Sequence, residues 1–169
     1  MSRILLTGMS GAGKSTLLEA LALRGHRTVD TDYGGWILLD GKWDESRMSA
    51  LLAENSALVI AGTVENQGRF YDRFEHIVLL TAPLEVLIER VSARTNNPYG
   101  RSPEDQAELR RNVVAVEPLL RARSSLELDG RRPVSELADE VEDLLSASTP
   151  TERPPTKRAP WHAPATRER

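Results

Sequence analysis

The 169-residue sequence has no cysteine, which excludes a disulfide framework and any thiolate metal centre. It lacks any apolar run approaching the ~18 residues of a membrane span. The N-terminus, Met-Ser-Arg followed at once by Ile4, Leu5 and Leu6, lacks the long apolar segment of a signal peptide. A soluble, cytoplasmic protein with no membrane partner is expected. It also lacks a basic excess. The formal net charge is −3, and residues 148–169 hold five Lys/Arg against two Glu, so the remainder is more acidic still. That balance disfavours a general nucleic-acid binder. No internal repeat is present. Aromatic residues are few, with three Trp, three Tyr and two Phe, so their placement carries information.

The length suits one domain with a real core and is short for two; a monomer or homodimer is expected. Short apolar runs alternate with longer segments of helical period, the pattern of βαβ units on a parallel sheet. Strands are expected at residues 3–7, 27–30, 57–61, 76–80 and 125–128. The first helix should begin inside a glycine-rich turn and end near Arg24, before Gly25. Others are expected over 45–54 behind an Asp44 cap, behind Pro83 along the stripe Leu84, Leu87, Ile88 and Val91, and behind Ser102-Pro103. Asp105 is placed to answer the Ser102 cap from three residues on. That helix should run toward Arg121 with a bend or break at Pro118, and a last one should follow Pro133. The expected fold class is therefore α/β. Five of the ten prolines fall in residues 148–169. Two segments are expected: a domain over 1–147, and a Pro-rich, basic, poorly ordered tail over 148–169. A protein contact made by the tail through Trp161 stays open.

The stretch "LLTGMSGAGKST" contains Gly8-x-x-x-x-Gly13-Lys14-Ser15, the full phosphate-loop pattern, between an expected strand and an expected helix. Backbone amides of Gly8, Ser10, Gly11, Ala12 and Gly13 can turn inward on a phosphate, and the helix start at Lys14, Ser15 and Thr16 adds its positive end. Lys14 can bridge β- and γ-oxygens, and the Ser15 hydroxyl can ligate Mg²⁺. The loop resembles those of small P-loop kinases within the P-loop NTPases. The resemblance implies a three-layer fold, with a five-stranded parallel sheet between helices and phosphates at the carboxyl ends of the strands. It further implies ATP and Mg²⁺ as cofactors.

The second expected strand ends "VDTDYGGW". Asp30 and Asp32 are two apart, so a continuing strand points both carboxylates to one face, beside the phosphate loop. One acid can hold metal-bound water; the other can orient an acceptor hydroxyl and accept its proton. "DTD" here is similar to the acidic motif of shikimate kinase and its relatives, which implies metal contact for Asp30 and acceptor contact for Asp32. The third strand ends Ile60-Ala61-Gly62-Thr63, without the metal-holding Asp usual in hydrolytic switches, and no Asn-Lys-x-Asp guanine motif occurs. Transfer is favoured over hydrolysis.

Six of the eight aromatics follow strands two and three: Tyr33, Trp36 and Trp43, then Phe70, Tyr71 and Phe74. They can stack on an acceptor or form the core under a small flap. Tyr33, Glu65 and Arg69 are candidate acceptor-binding residues on that side, with solvated loop charge the other reading of the last two. "ERVSARTNNPYGRSPED" carries Arg90 and Arg94 one helical turn apart, and then Arg101. This arrangement resembles the lid of adenylate-kinase-like enzymes, which implies that Arg94 and Arg101 close over the transferring phosphoryl group. Arg121 and Arg123 can approach the nucleobase. The combined expectation is a kinase of a small-molecule acceptor whose identity stays open. A nucleotide-binding regulatory or interaction module is one rival, and a slow NTPase acting on nucleic-acid ends is another.

Overall fold

A computed structural model describes residues 1–147 of the chain; the expected tail and Trp161 lie outside the described residues. Five strands form one fully parallel sheet in the order β2-β3-β1-β4-β5. They are β1 (Arg3–Thr7), β2 (Thr28–Asp30), β3 (Leu58–Ala61), β4 (His76–Thr81) and β5 (Leu126–Asp129). The helices are α1 (Lys14–Leu23), α2 (Glu45–Glu54), α3 (Leu84–Ala93), α4 (Pro103–Ala115), α5 (Glu117–Arg123) and α6 (Val134–Ser146), with a 3₁₀ segment at Glu65–Arg73. All five expected strands are present. The α/β expectation, with a parallel sheet between helices, describes the molecule.

Alternation along the central strands sorts two cores. Ile4, Leu6, Val59, Ala61 and Val78 pack with Leu17 and Leu21 of α1 and with Leu137 and Val141 of α6. Leu5, Leu58, Ile60 and Ile77 face Met48 and Leu52 of α2, together with Trp43, Phe70 and Phe74. Three of the six clustered aromatics are therefore core, and Trp43 meets Phe70 edge to face with centroids 5.9 Å apart. Tyr33, by contrast, is half exposed.

Helix ends follow local chemistry. Asp44 caps α2 by accepting from the Arg47 amide at 3.1 Å, and Ser102 caps α4 by accepting from the Asp105 amide at 3.1 Å. α1 closes with the Gly25 amide on Ala22 O and the His26 amide on Leu21 O, the paired bonds of a glycine C-cap. Two details differ from expectation. Pro118 does more than bend the fourth helix: a break at Val116 makes α5 a separate helix with proline in its first turn, because proline has no amide to continue the ladder. The Asp105 carboxylate, expected to answer the Ser102 cap, instead accepts from the Gly100 amide at 3.0 Å.

The register brings every strand to one carboxyl edge. Leu6 and Asp30 both pair with Ala61, and Thr81 pairs with Asp129. The exits of β1, β2 and β3 are thus neighbours, with the phosphate loop on the first and the paired acids on the second. At this junction Gly62 has no room for a side chain: a Cβ there would stand 2.3 Å from Thr31 Oγ1 and 3.0 Å from the Trp43 ring. Gly62→Ala is expected to lower the unfolding free energy by ~1–3 kcal/mol through overpacking, read as a lower urea midpoint; an unchanged midpoint would show that Thr31 swings aside freely.

Candidate active site

Leaving β1, the chain turns through Gly8, Gly11 and Gly13, all at positive φ, into α1. Gly8 has a second reason to be glycine, since a Cβ there would lie 2.3 Å from Leu80 O. The first turn of α1 has amides with no carbonyl partner inside the helix, and the helix dipole makes that end attractive to anions. Lys14 crosses this mouth and donates to Gly8 O at 2.6 Å and Met9 O at 3.1 Å. Burial lowers its pKa to about 8, opposed by the charges of Asp32 and Asp30 and aided by Arg94. Four sequence candidates, Lys14, Asp30, Asp32 and Arg94, therefore share one electrostatic neighbourhood.

The two acids are held differently. Asp30 Oδ2 accepts from the Ser15 hydroxyl at 2.5 Å, and its Oδ1 accepts from the Asp32 amide at 3.1 Å. Between them Thr31 turns the other way, buried, with its amide and hydroxyl both on Ala61 O. Strand-like pairing ends at Thr31, where the chain turns with the Tyr33 amide on Asp30 O at 3.3 Å, and Asp30 and Asp32 both remain close enough to act on Lys14. The Asp32 carboxylate accepts no hydrogen bond from any described residue and lines the cavity at the loop mouth. Burial raises its pKa, Asp30 adds to the rise, and Lys14 and Arg94 oppose it.

Ser15 and Asp30 offer adjoining hard oxygen donors at the helix start, which suits Mg²⁺. That ion is characteristically held by one or two protein oxygens plus phosphate and water. Among the described residues no group of three or more His, Cys, Asp or Glu is placed to hold a metal by itself. The donor set thus fits an ion that arrives with a phosphate.

Thr63 carries weight that sequence inspection missed. Its hydroxyl accepts from the Gly8 amide at 3.1 Å, lies 2.7 Å from Gly8 O, and is 3.0 Å from Thr7 Oγ1. Gln67, buried behind it, donates to Thr7 Oγ1 at 3.3 Å and to the Tyr71 hydroxyl at 2.9 Å. A threonine and a glutamine after a strand form no motif, so only the fold reveals this brace.

The three lid arginines go to three different places. Arg90 donates to Gly11 O, Ala12 O and Gly130 O at 3.2, 3.3 and 2.9 Å, gripping the phosphate loop from outside. α3 ends at Ala93, and the chain turns extended at Arg94. Arg94 donates to Tyr99 O at 3.3 Å, while its Nε is buried without a partner among the described residues. Arg101 is exposed and donates to Arg94 O at 2.6 Å. The turn between them is short and folds on itself through Asp105 and through Gln106, which reaches Gly100 O at 3.1 Å.

A cavity of about 140 Å³ lies between the loop mouth (Gly8, Met9, Ser10, Lys14) and an opposing wall. That wall comprises Asp32 and Thr63 from the strand exits, Tyr99 from the lid turn, and Leu109 and Asn112 from α4. Tyr99, Leu109 and Asn112 were not legible as site residues. Glu65 and Arg69 lie outside this lining: Glu65 stands 3.8 Å from Lys42, and Arg69 pairs with Glu45 at 3.1 Å. With Asn66, which accepts from the Trp43 amide and donates to Trp43 O, they tie the 3₁₀ segment to the turn over residues 36–43 and to the start of α2. Arg121 is held by Glu117 and Glu127 at 3.0 and 2.9 Å beside a separate, more open cavity near Thr81. Arg123 is exposed.

The AAA domain family matches residues 4–111, a span that includes Lys14, Asp30, Asp32, Arg94 and Arg101 and stops just before Asn112. No curated protein matches the sequence. Among solved structures, shikimate kinase from Acinetobacter baumannii in complex with shikimate is 24% identical, with 85% of this chain and 92% of that one covered and a TM-score of 0.63. Shikimate kinase from Bacteroides thetaiotaomicron is 20% identical, with 86% and 98% covered and a TM-score of 0.61. An unliganded sugar kinase from Janibacter sp. HTCC2649 is also 20% identical, with 86% and 95% covered and a TM-score of 0.55. At these identities the likeness is one of fold.

The half-charged state of Lys14 near pH 8 has a measurable consequence. Phosphate oxygens favour its charged form, so nucleotide binding near or above its pKa takes up a proton. Affinity then falls as pH rises through about 8, toward roughly tenfold per unit. Calorimetry of ATP binding at about pH 8.5, in two buffers of different ionisation enthalpy, should report net proton uptake. A buffer-independent heat would contradict the depressed pKa.

Proposed function

This chain belongs to the AAA domain family, and from that membership and a site built at a phosphate loop we propose that it is an ATP- and Mg²⁺-dependent kinase of a small-molecule acceptor. The observation that carries the reading is the division between the two acids. Asp30 is committed to Ser15, whereas the Asp32 carboxylate accepts no bond from a described residue and lines the same cavity as the loop mouth, which leaves it available to an acceptor.

Bound ATP supplies the phosphoryl group, and Mg²⁺ neutralises its charge. The remaining work falls to the chain. Lys14 and the loop amides hold the β- and γ-oxygens in place of the Gly8 and Met9 carbonyls that Lys14 meets now. Ser15 and Asp30 hold the ion. Asp32 orients the acceptor hydroxyl and takes its proton, a task that its raised pKa suits. Arg94, with a buried donor lacking a partner, is suited to an anionic oxygen in transit, since a desolvated guanidinium binds such groups strongly. Arg101 acts behind it by holding Arg94 O. The transition state of this transfer is generally loose, so placement and charge matter more than proton removal. Tyr99 narrows the mouth and helps exclude water. In this reading residues 1–147 are the kinase domain and 148–169 a separate tail. No described helix is long and apolar enough to cross a membrane.

Two substitutions test the assignment. Lys14→Ala should lower ADP formation by about 10³-fold or more. Asp32→Asn should lower kcat by about 10²–10⁴-fold while the nucleotide Kd moves less than about threefold. If Asp32→Asn leaves acceptor-dependent ADP formation intact, the acid has no part in transfer; if acceptors never raise ADP above the blank, a binding module is the better description.

A further inference from the structure

The chemistry of the wall facing the phosphate loop restricts what can stand there. Among the described residues lining the cavity, Lys14 is the single cation and Asp32 the single anion. Lys14 belongs to the cradle, where phosphate oxygens claim it. The cations next to the acceptor side in the chain are engaged elsewhere. Arg69 is on Glu45, Lys42 is near Glu65, and Arg47 lies over the Trp36 ring at 3.8 Å while donating to Gly34 O. Arg94, whose charge also reaches Asp32, is left in this reading to the phosphoryl group in transit, so an acceptor bearing a carboxylate or a phosphate would bring that charge beside Asp32 with no further cation to meet it, an unfavourable arrangement.

The same wall is well suited to uncharged groups. The Asn112 side chain, which makes no hydrogen bond to a described residue, offers two N–H donors and an acceptor oxygen. Asp32 accepts from a hydroxyl, and the buried Leu109 side chain gives a carbon skeleton an apolar floor. Asn112 sits on α4, one helical turn beyond Leu109 and Glu108, so its position depends on the helix and not on the lid turn.

We propose that the acceptor is a small, electrically neutral polyol seated between Asp32 and Asn112, and that Asn112 determines specificity by reading a hydroxyl other than the one phosphorylated. The proposal rests on the kinase reading above. In the transfer, the acceptor hydroxyl oxygen forms a bond to the γ-phosphorus of ATP as the bond from that phosphorus to the β,γ-bridging oxygen breaks. ADP leaves, and the hydroxyl proton passes to Asp32.

The test is a panel of neutral polyols of three to six carbons, open-chain and cyclic, each beside its carboxylate and amine counterparts. It uses the full chain with ATP and Mg²⁺, read as ADP formed above a no-acceptor blank and as phosphorylated product by mass. The neutral member of at least one set should exceed its acid by about tenfold or more in kcat/KM. Asn112→Ala should raise KM for that polyol by about tenfold with a smaller change in kcat, and Asn112→Arg should shift preference toward the acid. Turnover of acids or amines in preference to every neutral member overturns the acceptor class but leaves phosphoryl transfer standing. Turnover of a neutral polyol unaltered by both Asn112 variants overturns the role of that residue. No turnover of any member overturns the acceptor class and the kinase reading together.

Discussion

A loop that turns its amides inward on a phosphate has few side chains with which to hold its own shape, so the shape must be imposed by its neighbours. In this protein the outward carbonyls of the loop are the handles. Lys14 takes those of Gly8 and Met9, and Arg90 those of Gly11 and Ala12. Thr63 takes both the amide and the carbonyl of Gly8. Behind them, Leu80 and Leu87 press their backbones so close that a Cβ at Gly8 or Gly11 would collide. Charged donors on carbonyls in a part-buried setting are among the stronger hydrogen bonds available, and their convergence leaves the cradle little freedom to relax.

That convergence determines the electrostatics of the site. Because Lys14 is drawn into the mouth of the loop, burial lowers its pKa; because Asp32 shares the enclosure, its own pKa rises. Two opposite charges, each weakened by desolvation, face one cavity and only partly repay each other. Arg94 adds a third partly desolvated charge with a donor left over. Such unsatisfied polarity is costly to a resting protein and is the usual mark of a place where a charged ligand completes the arrangement.

The flap beyond β2 and β3 shows a different economy. Glu65, Arg69, Lys42 and Glu45 pair among themselves, Asn66 stitches the Trp43 backbone, and Arg47 covers Trp36. Charged residues that the sequence offers as candidates for acceptor binding are thereby consumed in holding this segment together. That side of the cavity is lined instead from the lid turn and α4, by Tyr99, Leu109 and Asn112, a separation along the chain that no local pattern spans.

Sequence alone determined the elements and the phosphate cradle. Strand and helix periodicities are local, caps such as Asp44 and Ser102 act within a single turn, and the Gly8 to Ser15 spacing states its chemistry in eight consecutive residues. The spacing of Asp30 and Asp32 was legible too, but a turn after Thr31, and not strand alternation, sets where Asp32 stands. Tertiary structure alone decided which of several plausible polar residues meet. Arg90 and Arg94 sit one turn apart in sequence, yet one braces the loop and the other turns to Tyr99 O with its charge reaching Lys14 and Asp32, because α3 ends between them. Thr63, Tyr99 and Asn112 join the site only because β1, β3 and α4 converge on one edge of the sheet, and convergence of distant segments leaves no periodicity or spacing in the chain to be read.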